Sequence, residues 1–312
     1  MTNKTMDYQT ILDEIAQEVR PFLTDGKVAD YIPALANVDP NQFAMSITLF
    51  DGTQYHVGDA STLFSIQSIS KVFTLTLALK FYGNKFYKRV GVEPSGNPFN
   101  SLVQLEYEQG KPRNPFINAG AINVTDALVT HYKSSAVAYK EVIDFIKLIA
   151  DDDFIGSDDI VAHSEMKFGH RNLALSNLMK SFNNFDNEVV DVVSLYFKHC
   201  SIEMSTKMLS RAMLYLANHG IDPITKKTYI SVQRAKRINA VMLTCGHYDA
   251  SGEFAFDVGL PGKSGVGGGI VAIVPKVMGL SVWAPGLNTH GNSLVGTMAL
   301  KLFTDKTGLS IF

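Results

Sequence analysis

Phe64-Ser65-Ile66-Gln67-Ser68-Ile69-Ser70-Lys71-Val72-Phe73 is the stretch that decides the reading of this chain. It is a Ser-x-x-Lys step at the mouth of an apolar run, because Val72, Phe73, Leu75, Leu77, Ala78 and Leu79 follow with only two threonines between them. Such a run predicts a helix buried on nearly all sides. Three residues of helical rise put Ser68 and Lys71 on one face, within reach of each other. Ser68 falls in the first turn, where N–H groups without an intrahelical partner and the positive dipole end favour a developing oxyanion. A serine hydroxyl needs a neighbour to take its proton, and a lysine can do so only when burial lowers its own pKa. The pattern therefore offers a nucleophile, a base and half an oxyanion hole. Taken alone, Ser-x-x-Lys arises by chance in many sequences, and a serine at a helix start is usually a cap.

The whole chain narrows the classes. Its 312 residues suffice for one large domain or two small ones with a sizeable core. With 46% hydrophobic and 19% charged residues it carries no signature of disorder. A formal net charge of -2, with neither sign in long blocks, argues against nucleic acid and anionic membrane as partners. Met1 to Tyr8 lack the apolar core of a signal peptide, and no run approaches the roughly 18 apolar residues of a membrane span, so a cytoplasmic protein is expected. Cys200 and Cys245 lie in apolar surroundings without metal-ligand spacing and read as reduced core thiols.

Upstream of the decisive stretch, Ile11, Leu12, Ile15, Val19 and Phe22 repeat at helical spacing behind a capping Asp7. Pro33 keeps the segment from Val28 to Ala36 out of helix. Met45–Phe50 and Gln54–Val57 read as strands joined at Asp51-Gly52, a hairpin signal. Downstream come loops at Gly91–Pro98 and Gly110–Pro115. Helical periodicity follows over Asn123–His131, Ala136–Ala150, Arg171–Ser181, Val189–His199, Ser205–Asn218 and Tyr229–Leu243. Beyond Tyr248 the signal returns to strand over Glu253–Val258, Gly269–Pro275 and Leu280–Ala284, and a helix from about Asn292 to Phe303 closes the chain. Strands at both ends and helices between them predict an α+β fold: one antiparallel sheet flanked by the terminal helices, with an inserted helical lobe. The expected division is a single catalytic domain over 1–312, with an α/β lobe of approximately 1–100 plus 246–312 and a helical lobe of approximately 101–245. The nucleophile helix would start at the seam, a usual place for a pocket.

Three further clusters are too rich in polar and glycine residues for a core. The first runs from Arg113 to Asn123 and carries Asn118 in a small-residue segment. The second, Ser164-Glu165 through Arg171-Asn172, sets a carboxylate and an amide two helical turns apart if the helix is continuous. The third, Lys263-Ser264-Gly265-Val266 followed by glycines, opens a strand, and glycine there often marks close backbone approach. Each has an ordinary explanation as turn, solvated face or bulge, but together with Ser-x-x-Lys they fit one site.

Ser-x-x-Lys followed far downstream by Lys-Ser-Gly is the order found in the penicillin-recognising acyl-serine enzymes. Their middle motif is not matched, because Ser95-Gly-Asn97 and Tyr82-Gly-Asn84 follow the nucleophile too closely in turn-like contexts. The combination of Gln67-Ser68-x-x-Lys71, Asn114-Pro-x-x-Asn118-Ala-Gly-Ala, Glu165, Arg171-Asn172, Leu195-Tyr196, Leu243-Thr-Cys-Gly-His-Tyr248-Asp and Pro261-Gly-Lys-Ser-Gly-Val266 resembles the serine-dependent glutaminases, in their short bacterial form. The similarity spans nearly the whole chain, with Gly262 a departure where relatives often carry alanine. The resemblance implies a β-lactamase/penicillin-binding-protein-like fold, a homotetramer, no cofactor, no catalytic metal, and hydrolysis of L-glutamine to glutamate and ammonia. It implies Ser68 as nucleophile, Lys71 as base, Tyr248 as second proton carrier with Tyr196 the weaker choice, and an oxyanion hole from the Ser68 and Val266 amides. It further implies a substrate site of Tyr31, Gln67, Ser68, Asn118, Glu165, Asn172, Tyr196, Tyr248 and Val266, with Glu165 as the anion for the α-amine. Two alternatives stand beside it: another acyl-serine hydrolase of the β-lactamase superfamily, and a non-catalytic ligand sensor.

Overall fold

The structure, a computed structural model, describes residues 6–96 and 100–312. Asn97 of the Ser95-Gly-Asn97 triplet, and the Pro98 that ends one predicted loop, lie outside the described residues. In chain order the first elements are α1 (Tyr8–Val19), β1 (Ala44–Leu49), β2 (Gln54–Gly58), β3 (Phe64–Ser65) and α2 (Ser70–Tyr82). Then come α3 (Leu102–Tyr107), α4 (Asn118–Tyr132), α5 (Ser135–Ala150), β4 (Gly156–Ser157), α6 (Asp159–Phe168), α7 (His170–Ser181) and α8 (Val189–Cys200). The last are β5 (Ile202–Met204), α9 (Thr206–Ala212), α10 (Leu214–Ala217), α11 (Val232–Cys245), α12 (Ser251–Asp257), β6 (Gly262–Ser264), β7 (Gly269–Val274), β8 (Met278–Trp283) and α13 (Leu294–Thr307).

The main sheet runs β2-β1-β8-β7-β6, every neighbour antiparallel, and so joins strands from both ends of the chain. Alternation along β1 assigns its two faces. Met45 and Ile47 pack with Leu12, Ile15, Leu280 and Phe303 under α1 and α13. Ser46 and Thr48 point the other way, where their hydroxyls meet those of Thr206 and Ser210 on α9, each at 2.8 Å. Polar pairs thus tie the sheet to the helical side, since a buried hydroxyl is costly without a partner. Helix α2 is buried from Ser70 through Leu79, the expected consequence of its all-round apolar sequence, and packs against α4, α5 and α11. Among the described residues, no helix is long and apolar enough to cross a membrane.

Several expectations are corrected. Glu253–Val258 is not a strand but lies in α12 and its C-cap. The residues alternate, yet Phe254 and Val258, four apart, are the buried pair while Phe256 is exposed, and Gly259 at φ +65° ends the helix. That terminating glycine is a helix stop signal outweighed in the sequence by the Phe-x-Phe alternation. Ser205–Asn218 is two short helices rather than one, parted at Met213. Lys263-Ser264 closes β6, which begins at Gly262, rather than opening a strand. Helix α3, the start of α6 before Ser164 and the small antiparallel sheet β3-β5-β4 were not expected.

Candidate active site

Ser68 occupies a 3-10 turn, Gln67–Ile69, that leads into α2. Gln67 before it adopts φ +48°, an unfavourable region for a non-glycine residue, and is held there from several sides. Its Nε2 donates to Ser65 Oγ at 3.0 Å and to Glu165 Oε1 at 2.9 Å, and its carbonyl accepts from Ser70 Oγ at 2.8 Å. The glycine-rich segment packs on the same turn. A side chain at Gly265 would stand 2.5 Å from the Ile66 carbonyl, and one at Gly267 would stand 2.2 Å from the Ser65 carbonyl. These glycines therefore admit the backbone that leads into Ser68, and Trp283 secures the contact by stacking on Phe64 and donating to the Gly267 carbonyl at 2.9 Å. Val266 stands between the two glycines. Among the described residues, no hydrogen bond uses its N–H.

Lys71 is 2% exposed. Its Nζ donates to the Phe116 carbonyl at 3.1 Å and to Asn118 Oδ1 at 2.9 Å. Asn114 sets up the first of these acceptors, because its Oδ1 accepts from the Phe116 and Ile117 amides and so folds the turn before α4. Burial pulls the Lys71 amine down to about 8. A second buried amine, Lys263, donates to the Gly246 and Ser264 carbonyls and lies 4.6 Å from the centre of the Tyr248 ring. Burial, and then the charge of Lys71, hold Lys263 well below its ordinary value. Tyr248, also in the left-handed region at φ +55°, turns its hydroxyl toward Ser68 and Ser264, and burial pushes that phenol up to about 12.

Glu165 and Asn172 do not share a continuous helix. The chain breaks at Gly169 between α6 and α7, where a side chain would strike the Phe197 ring at 2.6 Å. Both residues still line one cavity of about 170 Å³, together with Tyr31, Gln67, Ser68, Asn118, Tyr196, Tyr248 and Val266. Every residue expected to bind substrate thus meets there. Lys71 stands behind the wall and reaches it through Asn118, whose Oδ1 also accepts from Tyr196 at 3.3 Å and whose Nδ2 donates to Asn172 at 3.1 Å. Crowding pushes the Glu165 carboxyl up to about 7, against the opposing pull of Gln67 and Lys71. Without a cation beside it, then, this carboxyl is not the full anion expected.

Asn100, Phe197 and Cys200 also line the cavity and were missed, because nothing in their neighbourhood distinguishes them from loop and core. Arg171 was noted only as part of a motif. It lines the cavity and donates to Asn100 at 3.4 Å, bringing a guanidinium to the edge of the site.

The glutaminase family model matches residues 26–312. The chain belongs to the glutaminase family. A glutaminase of Aliarcobacter butzleri is 61% identical over 98% of this chain and 100% of its own length. One of Rhizobium leguminosarum bv. trifolii is 54% identical over 98% of this chain and 99% of its own. Among solved structures, a probable glutaminase from Bacillus subtilis complexed with 6-diazo-5-oxo-L-norleucine superposes with a TM-score of 0.89 at 34% identity, covering 100% of this chain and 99% of that one. Glutaminase structures of this closeness support the α+β architecture expected of the family, whose antiparallel sheet and flanking helices are described above.

Proposed function

We propose that the chain hydrolyses L-glutamine to L-glutamate and ammonia through a Ser68–Lys71 dyad. The observation that carries this reading is one cavity lined by Ser68 and, among the described residues, by a single carboxyl, Glu165, with the depressed amine of Lys71 behind its wall, joined to it through Asn118. A neutral lysine amine has two hydrogens and one lone pair. Phe116 and Asn118 take two hydrogen bonds from Lys71, so its lone pair is the valence left for the Ser68 proton. Ser68 Oγ attacks the side-chain amide carbon, and the carbonyl oxygen becomes an oxyanion facing the Ser68 and Val266 amides. Collapse expels ammonia, which receives the proton through Lys71 and Tyr248, with Tyr196 the weaker carrier. Water then cleaves the γ-glutamyl ester by the same steps in reverse order. Asn118, Asn172 and the tyrosines receive the α-carboxylate, and Glu165 receives the α-ammonium. The diazo ketone amino acid of the structural neighbour supports a site for a substrate of this length. A single catalytic domain over 1–312, a homotetramer and a cytoplasmic location belong to the same reading. They rest on family membership, and light scattering giving the mass of one chain alone would refute the tetramer.

The deciding experiment measures ammonia release by the purified protein with glutamine and asparagine side by side. Release from glutamine at least about 100-fold faster in kcat/KM is expected, because a missing methylene worth about 1–3 kcal/mol is compounded by an unpaired group at one end. Equal rates would overturn the assignment. The pH dependence provides a second check. Lys71 must be neutral to accept a proton and Glu165 must be ionised to hold an ammonium, so protonation of either disables the free enzyme as pH falls. The profile of kcat/KM should rise from about pH 6 to about pH 8.5, with two macroscopic transitions near 7 and 8. A flat profile across that interval would remove both groups from the mechanism.

A further inference from the structure

Tyr248 is held by contacts that the reaction does not itself require, and they converge on Asn292. This asparagine, at the start of the segment leading to α13, is 2% exposed. Its Nδ2 donates to the His247 carbonyl at 3.3 Å, and its backbone N–H donates to Asn288 Oδ1 at 3.1 Å. A carbonyl can only accept, so the His247 contact fixes which end of the Asn292 amide faces which neighbour. Its Oδ1 must then face Ser264, and it accepts that hydroxyl's proton in a short hydrogen bond. With its proton so committed, Ser264 can only accept from the Tyr248 phenol. The phenol, donating to Ser264, is thereby held beside Ser68 while the Ser68 proton stays available to Lys71.

We infer that Asn292 is a positioning residue: by taking the Ser264 proton it leaves Ser264 as the acceptor for the Tyr248 phenol, and so holds that hydroxyl in place beside Ser68. The same side chain anchors the peptide that enters Tyr248, whose left-handed backbone would otherwise relax. Ser251 assists by accepting from the His247 amide at 3.0 Å, and Lys263 does so by binding the Gly246 carbonyl one residue earlier. Asn292 is not among the residues that line the cavity. Its influence therefore falls on turnover rather than on binding. The inference rests on the proton-carrying role proposed for Tyr248.

A double-mutant cycle tests it. Asn292→Ala should lower kcat for glutamine about 10- to 100-fold while KM stays within about threefold, and Ser264→Ala, a smaller excision, should do the same. In a Tyr248→Phe background, Asn292→Ala should cost less than a further twofold, because the hydroxyl through which it acts is already gone. Full additivity in that background would show Asn292 to be merely structural, and a kcat within twofold of wild type in both single variants would overturn the inference. Full activity of Tyr248→Phe would sink it together with the role of Tyr248. A fluorophosphonate reacting with Ser68, followed by intact mass, gives the same cycle without glutamine turnover. If wild type labels but releases no ammonia, the glutaminase reading fails on its own. The inference is still judged, by whether Asn292→Ala slows labelling in the wild-type background alone.

Discussion

Ser68→Ala is expected to reduce ammonia release from glutamine by at least about 10⁴-fold while leaving the protein folded and able to bind glutamine. The size follows from the unit the serine belongs to: in nucleophile–base pairs, loss of one member removes nearly all the chemistry and leaves only oriented binding and the oxyanion donors. Binding survives because recognition falls to Glu165, Asn118 and Asn172, which do not depend on the hydroxyl. Lys71→Ala should be nearly as damaging, and the double variant no worse than the more damaged single one, since each change destroys the same step. Lys71 carries a structural load as well, because its removal leaves the Phe116 carbonyl and Asn118 Oδ1 without their shared donor. Its thermal stability should fall, whereas that of Ser68→Ala should not. Activity within tenfold of wild type in Ser68→Ala, or losses that multiply in the double variant, would dismantle the dyad.

Glu165→Gln is the second large effect, and it should appear in KM. The carboxyl sits where burial holds it near 7, so a substrate ammonium placed beside it both completes its ionisation and gains an ion pair shielded from solvent. Replacing the acid by an amide removes the charge but keeps the size, so KM for glutamine should climb by about 100-fold or more, in keeping with the few kcal/mol of a hydrogen bond to a charged group. A glutamine acylated on its α-nitrogen should be a poor substrate for wild type and should suffer much less from the change. Gln67 complicates the variant in a useful way. Its Nε2 donates to Glu165 Oε1, and the oxygen of the new amide can still accept that bond, so the φ +48° turn before Ser68 should survive. Equal losses for both substrates would mean that Glu165 serves the turn or the chemistry instead of the α-amine.

What could be seen from residues alone follows from the range over which each signal acts. The burial of α2 was legible because an apolar run that shows no polar face can only be surrounded, and Lys71 at its start had to be buried with it. The two-ended sheet was legible because Asp51-Gly52 joins two strand-like runs and the runs after Tyr248 are short, β-branched or aromatic and punctuated by glycine and proline. The β3-β5-β4 sheet was not, since strands of two or three residues are too short to show a period. Phe254 misled because alternation with Phe256 imitates a strand, while the buried partner that decides the matter is His247, stacked on it at 3.5 Å. Glu165 and Asn172 were chosen for a shared helical face that Gly169 interrupts; both reach the cavity because it lies at the corner between two helices. Asn292 was read only as the start of a helix, because its contacts with Ser264 and His247 are made across the fold.

The packing of Gly265 and Gly267 on the turn that carries Ser68 ties that serine to a hairpin about 200 residues further along the chain. Synthesis therefore delivers Ser68 long before the backbone that packs against it. While the chain is still emerging, β1 lacks β8 as its neighbour, and Val266 has no hairpin to hold it against Ser68. If Ser68 is the nucleophile proposed above, its surroundings are incomplete until β6, β7 and β8 join β1 in the sheet. Because that closure joins residues so distant in sequence, it should also be the slow step of folding.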